Sequence, residues 1–249
     1  MDRIGYMKRR LFLRLGLGLL ALPALAKRWS TLAQQAQSAS TIKIGIIGLG
    51  HIGGTLGTLW VKAGHPVLFS SRHPDELKEM VAGLGSLARA GTPAEAASFG
   101  DAVLVAVPYA ALPHIGRDYR RELQGKVVLD ACNAIAARDG DIAATAKQKG
   151  IGTVSQELLP GTRLVRAFNT LNYRILARDA HRPGPPLAIP IAGDDAEALR
   201  VASSLVRDPG FEPVVVGPLA RASEFAQGER GYGKEVTAPE LRQVLGLGQ

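Results

Sequence analysis

Hydrophobic positions along this chain form short apolar runs of strand length, separated by segments with helical spacing. The first run after residue 40, Ile42–Ile47, alternates and then becomes continuously β-branched and apolar, as a buried parallel strand does. A helical pattern follows from Thr55 to Ala63, and Val67–Ser70 is the next strand-like run. Five more runs of the same kind predict strands at Ala102–Val107, Lys126–Ala131, Arg163–Phe168, Leu187–Ala192 and Glu212–Val216.

Helical segments such as Asp195–Val206 lie between most of these runs, and this alternation is typical of an α/β fold. We therefore predict a single domain with a Rossmann-type, doubly wound and mostly parallel sheet. Pro190 and Pro213 fall inside two of the runs, which places those strands nearer the sheet edge. The Pro- and Gly-rich stretch 182–186 is interpreted as a loop, because too little chain follows it for a large second domain.

The first forty residues are interpreted as a leader and linker, and residues 41–249 as the folded domain with a C-terminal extension. Arg9 and Arg10 are followed by apolar residues and Arg14, a pattern that indicates a twin-arginine export signal. The apolar stretch 15–26 is too short to span a bilayer but suits a signal peptide, and 24–26 is a candidate cleavage site. The expected location is periplasmic or secreted, with no stable membrane span in the mature chain. An uncleaved amphipathic anchor is the alternative.

The leader also contributes most of the net positive charge of the chain. The whole chain carries +8, but residues 1–40 hold seven of its 30 basic residues and one of its 22 acidic residues. The remainder carries only +2, so we predict no nucleic-acid partner. Cys132 is the single cysteine, which excludes an intramolecular disulfide, and its position at a strand end predicts a buried small side chain.

A complete G-x-G-x-x-G lies between the first strand and the first helix. Gly48 permits the tight turn, Gly50 lets the backbone approach a pyrophosphate, and Gly53 lets the helix pack on the strand. His51 and Ile52 begin that helix, whose N-terminal amides and dipole favour phosphate. These five residues are the predicted dinucleotide-binding turn.

The second strand ends in Ser71 and Arg72, where dinucleotide-binding folds contact the adenosine ribose. An acidic residue there would accept a hydrogen bond from the 2′-hydroxyl of NAD, whereas serine and arginine suit a 2′-phosphate. The predicted cofactor is therefore NADP(H).

Ligands of such sheets bind at the carboxyl ends of the strands, which adds two segments to the candidate site. Val107 and Pro108 follow one strand, and the proline stiffens a loop against which a nicotinamide ring could lie. Asn133 follows the next strand and could hydrogen-bond the carboxamide or a ribose. Structural roles, as a loop proline and a turn asparagine, remain open for these residues.

Other enzyme classes lack their signatures. Each tyrosine tested for Tyr-x-x-x-Lys, at positions 109, 119, 173 and 232, has a residue other than lysine four positions on, which excludes a short-chain dehydrogenase. The five histidines have no ligand spacing, so no metal site is predicted, and no G-x-S-x-G supports a hydrolase. We predict no catalytic acid, base or nucleophile.

Several segments in order resemble the F420-dependent NADP oxidoreductases, whose fold also recurs in the cytosolic domain of some ferric reductases. They span residues 42 to about 225 and comprise 48–53, 63–65, 70–72, 106–108, 130–133, 166–170, 192–195 and 216–219. The Phe-Asn-Thr and Gly-Asp-Asp pieces, at 168–170 and 193–195, are the more specific ones. Position 51 is His where relatives often have Asn, and the tail from Glu224 is not matched to the family's deazaflavin-binding end.

The resemblance implies NADP bound at Gly48–Gly53, with Ser71 and Arg72 on the 2′-phosphate. It also implies hydride exchange with a flat, flavin-like partner, either coenzyme F420 or a flavin, stacked on the nicotinamide. Such transfer needs positioning more than an acid or base. We therefore expect an NADP-dependent oxidoreductase acting on a flavin-like or small acceptor. The alternative is an exported NADP-binding module without turnover, a sensor or assembly partner. The twin-arginine export machinery is the expected protein partner, and a homodimer is left open.

Overall fold

The structure, a computed structural model, describes residues 41–248, so the predicted leader lies outside the described residues. Eight strands form one sheet in the order β3-β2-β1-β4-β5-β6-β7-β8. Every neighbouring pair is parallel except β6 and β7. The strands are β1 Ile44–Ile47, β2 Val67–Ser70, β3 Ala88–Gly91, β4 Ala102–Val105, β5 Val127–Asp130, β6 Arg163–Arg166, β7 Ala188–Gly193 and β8 Glu212–Gly217.

Helices connect the strands. Three short 3₁₀ segments also lie in these connections, at Pro74–Leu77, Tyr109–Ala111 and Leu219–Phe225. The α-helices of the described chain are α1 His51–Lys62, α2 Lys78–Leu84, α3 Pro93–Phe99, α4 Leu112–Asp118, α5 Arg120–Leu123, α6 Ala136–Asp139, α7 Asp141–Lys149, α8 Ile151–Leu158, α9 Tyr173–Asp179, α10 Ala196–Arg207 and α11 Ala238–Leu245. The predicted fold, a single Rossmann-type α/β domain, is confirmed. Between residues 41 and 248, no helix is both long and apolar enough to cross a membrane.

Alternate side chains of the strands point into two cores, one on each face of the sheet. In β1, Ile46 belongs to the core that contains Trp60 of α1, and Ile47 belongs to the opposite core. The second core also contains Leu241 and Leu245 of α11. The C-terminal segment is therefore part of the hydrophobic core.

The seven sequence-predicted strands all form, but β3 was not predicted. Its residues, Ala88–Gly91, are small or charged. β3 is an edge strand that pairs with one other strand, β2. The proline prediction is confirmed: Pro213 lies in the other edge strand, β8, and Pro190 lies in β7 beside it. Pro190 faces Val214 of β8, and β7 pairs with β6 only through Ala192 and Gly193, so its missing N–H breaks no ladder on that side.

Candidate cofactor site

The glycine turn between β1 and α1 has three positions with different steric demands. Gly48 has φ +105°, and a Cβ there would lie 2.4 Å from the carbonyl oxygen of Ala106. A Cβ on Gly53 would lie 2.0 Å from the carbonyl oxygen of Gly48, so α1 could not pack as closely on the turn. Gly50 has nothing within 4 Å of its Cβ position. The space above Gly50 is therefore open to a ligand, as the approach of a pyrophosphate requires.

The N-terminus of α1 is not capped by a side chain. Gly50 is its N-cap, and the first turn contains no acidic residue. The first amides of a helix have no partner within the helix, and the helix dipole places partial positive charge there. This helix end consequently fits a phosphate group, in agreement with the open space at Gly50.

A cleft of about 560 Å³ brings five of the sequence-predicted residues together: Gly48, Ser71, Arg72, Val107 and Pro108. The amide of His73 donates to Ser71 Oγ at 3.0 Å, which leaves the serine O–H free to donate to a ligand. Arg72 is exposed, and none of the ion pairs found between residues 41 and 248 involves it. This cleft thus presents two donors suited to a phosphate beside the glycine turn.

The other residues of the predicted turn lie outside that cleft. Gly50 and His51 line a shallower groove of about 610 Å³, which adjoins the cleft at Leu49. The His51 ring stacks on Tyr173 of α9, with centroids 4.2 Å apart. Ile52 is half-buried and packs against the core, so it supports α1 and lines neither depression.

Asn133 lies after β5 and is already held by other protein groups. Its Nδ2 donates to the carbonyl oxygen of Asn169 at 2.8 Å, and its own carbonyl oxygen accepts from Arg138 at 2.7 Å. Its Oδ1 has only a long approach of 3.4 Å from Asn169 Nδ2, which also donates to Phe225 O at 3.0 Å. Asn133 does not line the cleft, and its Oδ1 and its second Nδ2–H are the groups it retains for a ligand.

Asp139 joins the two loops that follow β4 and β5. Its buried carboxylate accepts from the amide of Ala110 at 3.2 Å and from the amide of Ile135 at 2.8 Å. Burial acts to raise the pKa of Asp139, but Arg138 and these two amides outweigh it and hold the pKa below its usual value. The ionised carboxylate therefore fixes the loop containing Pro108 relative to the loop containing Asn133.

Two candidate proton donors near the site, Tyr109 and Cys132, are hydrogen-bonded within the fold. The buried Tyr109 hydroxyl donates to Ile151 O at 3.2 Å and lies 3.1 Å from Ser155 Oγ, and burial raises its pKa to about 12. Cys132 is buried as predicted, and burial raises the pKa of its thiol well above the usual value. In the part of the chain that the structure describes, no group of His, Cys, Asp and Glu side chains could hold a metal ion.

The sequence reasoning missed one charged pair beneath the site. Arg166 Nη1 donates to Asp130 Oδ2 at 2.7 Å and to the carbonyl oxygen of Cys132 at 2.7 Å, and both charged side chains are fully buried. The signal was partial, because Asp130 is the one charged residue of β5, whereas β6 contains two arginines, Arg163 and Arg166. The register of β5 and β6 places Asp130 and Arg166 directly opposite each other.

Residues 43–134 match the model of the family described as NADP oxidoreductase, coenzyme F420-dependent. This part of the chain belongs to that family. The resemblance noted in the sequence is thus confirmed, and the domain is that of an NAD(P)-dependent oxidoreductase family. The matched segment contains the glycine turn, Ser71, Arg72, Val107, Pro108 and Asn133.

Individual relatives agree with this assignment. Metalloreductase STEAP3 of Rattus norvegicus is 30% identical over 189 residues, which cover 73% of this chain and 35% of that protein. The chain thus spans about a third of the length of this curated relative. The hypothetical protein SMa0349 of Sinorhizobium meliloti superposes with a TM-score of 0.67 at 27% identity, covering 82% of this chain and 98% of that one.

A structure from Arthrobacter sp. FB24, named as an F420-dependent NADP reductase, shares the fold. Its TM-score is 0.61 at 20% identity, with 83% of this chain and 96% of that chain covered. At this identity the likeness concerns the fold alone.

Proposed function

We propose that this chain binds NADP(H) and catalyses hydride transfer between NADP and a flavin-like or small acceptor. One observation carries the proposal: a single cleft is lined by Gly48 of the glycine turn, by Ser71 and Arg72 after β2, and by Val107 and Pro108 after β4. The family of residues 43–134 supports it.

The cleft and the adjoining groove at Gly50 each have a binding role in this proposal. Arg72 and Ser71 donate to the 2′-phosphate, and the amides at the start of α1 receive the pyrophosphate above Gly50. Pro108 and Val107 form an apolar surface for the nicotinamide side, where Pro108 has no N–H that would need a partner. Bound NADPH would supply a hydride and leave as NADP⁺, and the acceptor would gain two electrons.

Two candidate acids near the cleft, among the residues that the structure describes, are held within the fold. The Tyr109 hydroxyl and the Cys132 thiol are both buried, and each is hydrogen-bonded within the fold. Transfer between two juxtaposed rings depends mainly on their orientation and on the exclusion of water. We infer that the protein contributes positioning rather than proton transfer.

The acceptor is proposed from the relatives. The family name specifies coenzyme F420, and the curated relative is named a metalloreductase. A deazaflavin or a flavin would take the hydride directly, whereas ferric complexes, each of which takes one electron, would be reduced two at a time through a flavin. NADPH oxidation should be followed with each of these acceptors. Turnover with any one supports an oxidoreductase, whereas tight NADPH binding without turnover favours the alternative, a non-catalytic NADP-binding module.

The cofactor assignment is tested by comparing NADPH and NADH binding to the wild-type chain and to the double variant Ser71→Asp/Arg72→Ala. Losing charge-assisted hydrogen bonds to the phosphate costs about 1.5–3 kcal/mol each. We therefore expect the preference for NADPH to disappear. Arg121→Ala is the control, because Arg121 is exposed and lies outside the cleft. A double variant that keeps its NADPH preference would contradict the proposal.

Export through the twin-arginine machinery to the periplasm or the exterior is also proposed, on the strength of Arg9 and Arg10 in the sequence. Replacing both with lysine should abolish export while leaving NADPH binding unchanged. Continued appearance of the variant in the periplasmic fraction would contradict the assignment.

A further inference from the structure

One wall of the cleft, the α4 wall, is formed by α4 and by the residues directly before and after it. It contributes Ala111, His114, Ile115, Asp118 and Tyr119 to the lining. Asp118 is unexpected in a cleft that also contains Ser71 and Arg72, because its carboxylate would repel a phosphate bound by those two residues. Its pKa is lowered by the hydrogen bond from Arg117, so the carboxylate is ionised at neutral pH.

Arg117 contacts two polar residues of this wall, Asp118 and His114. Its Nε donates to Asp118 Oδ1 at 2.7 Å, and its Nη2 donates to Asp118 Oδ2 at 3.2 Å. The same Nη2 lies 3.0 Å from His114 Nδ1. Because arginine is only a donor, Nδ1 must accept, and the proton of the neutral imidazole then resides on Nε2. Arg117 therefore offsets the charge of Asp118 and leaves His114 with a free N–H donor.

We propose that Arg117 is a positioning residue for NADP selectivity: by neutralising Asp118 and holding His114 as an Nε2–H donor, it makes the α4 wall compatible with the 2′-phosphate. This inference rests on the proposed function, since it assumes that the 2′-phosphate lies between Arg72 and α4. It adds a second determinant to the pair after β2, from a helix about 45 residues further along the chain.

The fragment 2′,5′-ADP isolates this part of the cofactor, and 5′-AMP is the matched ligand without the 2′-phosphate. Both should be titrated by calorimetry against the full chain and its Arg117→Gln variant, together with NADPH. We expect Arg117→Gln to weaken 2′,5′-ADP and NADPH about three- to tenfold and to leave 5′-AMP within twofold. The Arg117 side chain is 67% exposed, so the effect should be modest and should diminish at high salt.

Second-site variants identify the cause. Arg117→Gln/Asp118→Asn should regain most of the lost affinity, because the uncompensated carboxylate is gone. Arg117→Lys should retain affinity better than Arg117→Gln, and Arg121→Gln, an exposed arginine outside the cleft, should match the wild type. Thermal unfolding of each variant verifies that it is folded.

Apart from NADPH binding that does not change in Arg117→Gln, two results would overturn the inference. One is an equal loss of 2′,5′-ADP and 5′-AMP affinity in Arg117→Gln, which would indicate a general packing effect. The other is no recovery in the double variant. Wild-type protein that binds neither NADPH nor 2′,5′-ADP would instead overturn the proposed function and this inference with it. NADPH binding that is indifferent to Arg117 removes the inference alone.

Discussion

Arg166 and Asp130 form an ion pair with a distance of 2.7 Å between Nη1 and Oδ2, and neither side chain is exposed to solvent. They face each other across β5 and β6, directly below the loops that carry Asn133 and Asn169. Asp130 Oδ1 also accepts from the Cys132 amide at 2.9 Å. The pair thus fixes the course of the chain where it leaves β5 toward the candidate site.

Removing one member of this pair should destabilise the fold strongly. Arg166→Met leaves a buried carboxylate without its counter-charge, which typically costs about 3–5 kcal/mol. Urea unfolding should show a loss of that size. The double variant Asp130→Asn/Arg166→Met should recover part of it, since no buried charge then remains. A single variant within about 1 kcal/mol of the wild type would contradict the structural role assigned here.

Tyr109 should contribute to the stability of the fold and not to hydride transfer. Tyr109→Phe removes the hydroxyl that donates to Ile151 O, so we expect a loss of about 0.5–1.5 kcal/mol in unfolding free energy. The rate of NADPH oxidation at saturating cofactor should stay within twofold. In an absorbance titration, the wild type should show a phenolate signal near pH 12 that the Tyr109→Phe variant lacks. A large fall in rate with unchanged stability would assign Tyr109 to the chemistry instead.

The sequence predicted the part of the site that follows from strand ends. Gly48, Ser71 and Val107 meet in one cleft because β1, β2 and β4 are adjacent parallel strands whose carboxyl ends share an edge. These strands could be predicted because their residues form apolar, β-branched runs. By contrast, β3 consists of small and charged residues, and its pairing with β2 is a tertiary effect that no local pattern shows.

Contacts between distant segments could not be predicted from the sequence, for a different reason. The partner of Asn133 is Asn169, 36 residues further on, and which atoms remain free on Asn133 depends on that contact. The α4 wall with Arg117 and Asp118 likewise becomes part of the site only when α4 packs beside the β4 loop. The Asp130–Arg166 pair was only partly predictable, since β6 contains two arginines and the register of β5 and β6 decides that Arg166 is the partner.

Asp139 should make stability depend on pH. Its pKa is held below the ordinary value in the folded protein, so its contribution is fully present above the unfolded pKa of about 3.9. That contribution is lost as the pH falls through the lower folded pKa. Asp139→Asn should therefore be less stable than the wild type at neutral pH, by about 1–3 kcal/mol, and the difference should shrink in acid.

Urea unfolding across a pH series measures this, with Asp141→Asn as the control because Asp141 is exposed on the next helix. NADPH affinity of Asp139→Asn should fall as well, since the amides of Ala110 and Ile135 no longer share one ionised acceptor. A difference between the variant and the wild type that is independent of pH would contradict the role of the charge.

The three glycines of the turn should separate stability from cofactor binding. Gly48→Ala forces a side chain into φ +105° and within 2.4 Å of Ala106 O, and Gly53→Ala brings a Cβ within 2.0 Å of Gly48 O. Both should lower the unfolding free energy by about 1–3 kcal/mol or more, because backbone must move. Gly50 has φ −82° and open space, so Gly50→Ala should leave stability within about 0.5 kcal/mol.

Gly50→Ala should nevertheless weaken NADPH binding at least tenfold, because its methyl group would stand where the pyrophosphate must approach the backbone. Thermal unfolding and NADPH titration of the three variants test this together. If Gly50→Ala binds NADPH as well as the wild type does, then the open space above Gly50 is not the pyrophosphate position. The cofactor would then have to enter the cleft without crossing the N-terminus of α1, which would leave the uncapped amides of that helix without a role.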